Sequence, residues 1–193
     1  MINITSKDLQ KLYLAYFGRP GDPSGINYWL SHSNQSITIQ EISNHFSRQD
    51  EYTKYIAYDK PVDYKINKLY LHLFNRKADF DGLNYWIEMF NSKDYKISDI
   101  VNELITLNDK SELTNSFQAE KDISIMHNKI LAAELFTKQI SKSISLINLY
   151  QPDSISPWNQ GNTFIKVSNY ISSIIDNQAS VDDINNIINS LTD

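Results

Sequence analysis

The chain has 193 residues, no cysteine and a formal net charge of −5, with a pI near 5.3. Those figures exclude disulfides and thiolate metal sites. They also argue against general phosphate-backbone binding, so no nucleic-acid partner is expected. The length suits one globular unit, or two small units on a shared core. Lys54, Lys60, Lys65, Lys68 and Arg76 fall close together, but acids are interleaved among them. They read as a solvated helix surface.

The first segment, MINITSKDLQKLYLAYF, has no basic stretch followed by an apolar one. It is therefore not expected to be a Sec signal peptide, and no apolar run is long enough to span a bilayer. Leu9, Leu12, Tyr13, Tyr16 and Phe17 recur at helical spacing and predict one apolar stripe. Thr5 and Asp8 resemble a capping box ahead of it. Next, Asp22 suits an N-cap and Pro23 the first helical position. Gly25 falls in the first turn of that second helix, where glycine costs about 1 kcal/mol relative to alanine. Its presence there implies a close backbone approach by the preceding helix. Tyr28 and Trp29 read as core. Ile39, Ile42 and Phe46 predict a third short helix.

The same series then returns. Residues 68–86, KLYLHLFNRKADFDGLNYW, match residues 11–29, KLYLAYFGRPGDPSGINYW, at 11 of 19 positions with an offset of 57. Ile66, Leu69, Tyr70, Leu73 and Phe74 repeat the first stripe, Asp79 the cap, Gly82 the glycine, and Tyr85-Trp86 the aromatic pair. Ile97, Ile100 and Leu104 repeat the third helix after a one-residue shift, and Asp50-Glu51-Tyr52 and Ser111-Glu112-Leu113 mark comparable ends. This divides the chain into two tandem helical repeats over 1–117 (about 1–58 and 59–117) and a C-terminal helical segment over 118–193.

In that last segment residues 119–144 predict a long helix with Ile123, Met126, Ile130 and Ala133 on one face. Ile144–Tyr150 reads as helix end plus loop. Residues 150–162 carry two prolines and one glycine and read as a long loop. Helices resume near 163–176 and 181–191, the last capped by Ser180 with Asp183, with Val181, Ile184, Ile187, Ile188 and Leu191 along one face. No stretch demands a sheet, so the expected fold class is all-α.

Catalytic chemistry finds no foothold. The four histidines, His32, His45, His72 and His127, show no ligand spacing, and no P-loop, Rossmann or serine-hydrolase motif occurs. We assign no catalytic residue and no metal ligand, and expect no enzyme. Asp79-Phe-Asp81-Gly82 suggests a calcium loop, but position twelve of such a loop is Phe90 rather than a bidentate glutamate. No cofactor is expected, with a calcium site of another type left open.

Two groups are candidates for ligand contact. Arg19 and Arg76 each precede a repeated aspartate by three residues, and either pin the turn through an Arg–Asp pair or face a ligand. The 150–162 loop combines Tyr150 and Trp158 with Gln151, Asp153, Asn159, Gln160 and Asn162. Flat aromatics beside amides and carboxylates suit a glycan. The alternative is a polar loop whose Trp158 plugs the core.

The paired motifs G-R-P-G-D-P-S-G-I-N-Y-W and N-R-K-A-D-F-D-G-L-N-Y-W resemble a bacterial helical domain of unknown function marked by G-R-x-x-D-x-x-G-x-x-Y-W, common in large extracellular proteins beside RTX repeats. Asn128-Lys-Ile-Leu-Ala-Ala-Glu-Leu-Phe-Thr looks like the N-K-x-x-A-A-x-x-F-T segment that follows such repeats. The arrangement is similar to the N-terminal part of surface-layer proteins of the Campylobacter type. That resemblance implies a domain that anchors its protein to lipopolysaccharide O-antigen on the cell surface. It also implies type I secretion, a chain continuing beyond Asp193, and self-assembly in a lattice through this or further C-terminal domains. The L-Y-x-x-x-F-G-R-P stretch also resembles the helical linker domains of cyanobacterial light-harvesting antennae, which implies a protein-interaction scaffold instead.

Overall fold

Helix α1 (Ser6–Phe17) starts where Thr5 and Asp8 close a reciprocal capping box. It stops at Gly18, whose φ of 65° is left-handed. Helix α4 (Val62–Phe74) ends the same way on Asn75, with φ 58°. In the computed structural model, which describes residues 4–33, 37–92, 95–106, 117–152 and 162–192, every other regular element is also helical. These are α2 (Pro23–Ser33), α3 (Ile39–Phe46), a six-residue π-helix (Glu51–Ile56), α5 (Phe80–Ser92), α6 (Ile97–Ile105), α7 (Phe117–Ile140), α8 (Ile144–Leu149), α9 (Asn162–Ser173) and α10 (Val181–Asn189). The protein is all-α, and no strand occurs among the described residues.

Helices α1, α4 and α7 pack mutually and form the centre. Helix α2 lies on α1 and α7, α5 on α4, α3 against α6, and α9 and α10 against α7. One apolar core runs through all of them, from Leu9, Tyr16 and Ile66 to Phe136, Val167 and Ile184. Ala132 and Ala133 are fully buried, which lets α7 approach its neighbours closely.

Several polar groups inside this core are satisfied in sets. The Gln10 amide accepts from Gly21 N (2.9 Å) and donates to Thr137 Oγ1 (2.8 Å), which donates to Gly21 O (2.7 Å). That closed ring fixes the turn after α1 to α7. Asn67 stands at the position matching Gln10 and accepts from Ala78 N (3.1 Å). Buried Lys129 donates to His72 O (2.6 Å) and Asn75 Oδ1 (2.5 Å) at the C-terminal end of α4, where a cation meets the carbonyl end of the helix dipole. Asn128 donates to Ile175 O (3.2 Å), just past α9. The N-K-x-x-A-A-x-x-F-T segment is thus the strip of α7 that clasps both preceding turns.

Some local expectations need correction. Residues 144–149 form α8 rather than a helix end running into loop. Val181 is 49% exposed and leaves the stripe to Ile184, Ile187, Ile188 and Leu191. Ser111, Glu112 and Leu113 lie outside the described residues.

Candidate functional site

The Arg19 side chain has only 2% of its surface exposed. Its Nε and one terminal nitrogen grip Glu51 of the π-helix at 2.8 and 2.7 Å, and the other nitrogen donates to Pro20 O at 3.0 Å. Asp22 stands 3.7 Å away, and the guanidinium lies 4.3 Å over the Phe164 ring. Burial opposes this charge, but Glu51, Tyr150 and Asp22 outweigh it and raise the Arg19 pKa further. Arg76 does the equivalent work with Asp122 of α7 at 2.6 Å, donates to Lys77 O, and has Asp79 at 3.6 Å. Both arginines tie down their turns chiefly through Glu51 and Asp122, while the expected aspartates Asp22 and Asp79 stand farther off at 3.7 and 3.6 Å. The bidentate partner in each case is an acid that the sequence did not pair with it.

The loop candidates divide. Tyr150 is a correction: it is fully buried, edge-on to Phe136 and Phe164 at 4.8 Å each, with its hydroxyl donating to Pro20 O. Its ring offers no face to a sugar. Gln151 is exposed and its amide reaches Asn148 at 3.5 Å. Asp153, Trp158, Asn159 and Gln160 lie outside the described residues, as does the side chain of Asn162, the first residue of α9.

A different cluster faces outward. Trp29 is 8% exposed and packs on Phe46, while its neighbour Tyr28 is 53% exposed. Adjacent helical residues are set about 100° apart, so one aromatic of the pair turns in and the other out. Tyr85 and Trp86 divide likewise, at 49% and 6%. The expectation that whole Tyr-Trp pairs are core thus holds for the tryptophans alone.

Around Tyr28 lies a cleft of about 580 Å³, walled by Tyr28, Trp29 and His32 of α2, then Ile37, then Glu41 and His45 of α3, then Gln49. It shares Tyr28, Trp29 and Gln49 with a smaller cavity of about 210 Å³ that reaches Arg19, Glu51 and Pro152. The His32 ring lies against Tyr28, centroids 4.1 Å apart, and its Nδ1–H donates to Tyr28 O at 2.7 Å. This locks the two rings into one platform. His45 leans on Trp29 at 5.5 Å. Glu41 accepts from the Thr38 backbone and hydroxyl in the α3 capping box, and those bonds hold its carboxyl below the usual range and keep it ionised.

An apolar platform, an ionised carboxylate, two imidazoles and an amide on one rim can stack a flat apolar surface and bond hydroxyls beside it. The signal in the sequence was spacing. Tyr28 and His32 are four apart on α2, and Glu41 and His45 four apart on α3, so each pair lines one helix face, and Gln49 follows in the turn after α3. Among the described residues no group of three His, Asp or Glu is gathered to hold a metal ion, and no helix is long and apolar enough to cross a membrane. No family model, no curated protein and no solved structure matches the chain.

Proposed function

We propose that this chain is a non-catalytic anchoring domain that holds lipopolysaccharide O-antigen glycan at the cell surface, with the α2–α3 cleft as the seat for a sugar. The observation that carries this reading is the exposed Tyr28–His32 platform set beside Glu41, His45 and Gln49. The resemblance to surface-layer N-terminal domains, stated above on the repeated motif, supports it. A pyranose presents an apolar face and a rim of hydroxyls. The first lies on Tyr28, and the second is bonded by Glu41 and Gln49. One such seat binds weakly, so the repeating units of an O-antigen and a lattice of anchored copies supply avidity.

Binding of the purified chain to smooth and rough lipopolysaccharide of its own host, with calcium and with chelator, tests the proposal. Smooth lipopolysaccharide binds and rough does not. Tyr28→Ala weakens binding about tenfold, the scale of one lost stacking contact. Tyr85→Ala leaves it unchanged. The calcium arm shows whether a metal shapes the site. Binding to neither form overturns the proposal in favour of a protein-interaction scaffold.

A further inference from the structure

A second cavity, of about 470 Å³, opens where the end of α1 meets the π-helix, α4 and α9. Its polar walls include Tyr55, Tyr64, Lys68, His72, Ser168 and Ser172. No carboxylate lines it among the described residues, although the chain is acidic overall. Lys60 and Lys68 bracket the Tyr64 ring at 5.5 and 5.9 Å from its centroid. Tyr55 leaves half its surface exposed beside them.

The inner wall is specific in its hydrogen bonding. His72 Nδ1 stands 2.9 Å from the Ala15 carbonyl, which can only accept, so Nδ1 carries the proton. Burial, reinforced by the charges of Lys68 and Lys129, pushes the His72 pKa down to about 4. The ring is thus neutral at ordinary pH and Nε2 is a bare acceptor. The Ser168 hydroxyl is buried with no partner among the described residues, an arrangement that costs free energy unless something else completes it. A π-helical segment forms part of the rim, and such segments are frequent at functional sites.

We infer that this cavity is a second binding site, for a saccharide carrying an anionic group, a carboxylate or a phosphate. Lys68 and Lys60 draw the anion, Tyr55 takes the sugar face, and His72 Nε2 and Ser168 bond its hydroxyls. The site is separate from the α2–α3 cleft and stands whether or not that cleft holds O-antigen.

Titration of the full chain with glucuronate, glucose 6-phosphate, glucose and inorganic phosphate, followed by amide NMR shifts, tests it. At least one of the two acidic sugars saturates, with the largest shifts around residues 55, 68 and 168, and binds about tenfold tighter than glucose, the worth of one charge-assisted hydrogen bond. Glucuronate alone assigns the anion as a carboxylate, and glucose 6-phosphate alone as a phosphate. Lys68→Met abolishes that preference, Lys68→Arg restores it, and Tyr28→Ala leaves it intact. If Lys68→Met melts early, exposed Tyr55→Leu takes its place, and the acidic sugar then binds no better than phosphate. Four results overturn the inference: no saturation by either acidic sugar, glucose binding as well as they do, inorganic phosphate binding as well as they do to the unmutated chain, or indifference to Lys68→Met in a folded protein.

Discussion

The turn after α1 and the turn after α4 share an arginine and an aspartate but not their surroundings. In both, an arginine donates to the next carbonyl, an aspartate caps the following helix (Gly25 N to Asp22 at 2.8 Å, Gly82 N to Asp79 at 2.8 Å), and a left-handed residue ends the preceding helix. Yet Arg19 and Asp22 are buried, while the Arg76 side chain is 26% exposed and that of Asp79 64%. The first turn is sealed by Tyr150, Phe164 and Thr137, all contributed by the C-terminal segment. Similar local sequence therefore carries different energetic weight according to what covers it.

The largest expected contrast lies in the arginines. Arg19→Met leaves the Glu51 carboxylate buried without its bidentate partner and should cost about 3–5 kcal/mol in denaturant unfolding. Arg76→Met should cost about 1–3 kcal/mol, because Asp122 keeps the Gln118 amide at 2.8 Å and gains water. Equal losses at the two sites would break the comparison. Adding Glu51→Met to Arg19→Met should recover much of the loss, since an apolar pair replaces a buried ion pair at little cost.

The glycines come next. A Cβ on Gly25 would stand 2.0 Å from the Tyr13 hydroxyl, so α1 does come close here, through a side chain rather than the expected backbone. Gly25→Ala should cost about 1–3 kcal/mol by overpacking. The same atom on Gly82 meets the Asp79 side chain at 3.1 Å and Tyr70 only at 3.6 Å, because the Tyr70 hydroxyl is turned to the Trp86 indole, 3.0 Å away. Gly82→Ala should therefore be neutral or stabilise by up to about 1 kcal/mol from helix propensity. Thermal melts of the two variants decide it.

A pH dependence separates the copies further. His72 occupies the position where the first copy has Ala15, and it bonds the carbonyl of that residue. Its folded pKa, about 4, lies below the ordinary 6.5, so between those values the unfolded chain binds more protons. Stability contributed here is complete above pH 6.5 and declines as pH falls toward 4. His72→Gln should flatten that decline relative to the unmutated chain, and parallel profiles would refute it.

The smallest contrast is in the caps. Thr38 accepts from Glu41 N at the start of α3, whereas Lys96, ahead of α6, has no acceptor in its side chain. Thr38→Ala should cost about 1 kcal/mol, and Lys96→Thr should stabilise by a few tenths to about 1 kcal/mol.

The all-α class, the α1 and α4 stripes, the Thr5 and Ser180 caps and the close approach at Gly25 were legible in the sequence alone. Each depends on residues within one helix or one turn, where spacing is geometry. The partners were not legible. Gln10 meets Thr137 across 127 residues, Arg19 meets Glu51 across 32, and Arg76 meets Asp122 across 46. Local periodicity holds no record of such pairings. The same limit hid the cleft, because N-Y-W shows two adjacent aromatics and only the rotation of α2 against α1 decides that Trp29 is buried and Tyr28 exposed. It also decided Tyr150, whose ring and hydroxyl suit a sugar in isolation. That side chain lies instead beneath Phe136, Phe164 and Pro20, because burying a large ring whose hydroxyl finds an acceptor stabilises the fold more than leaving it in water.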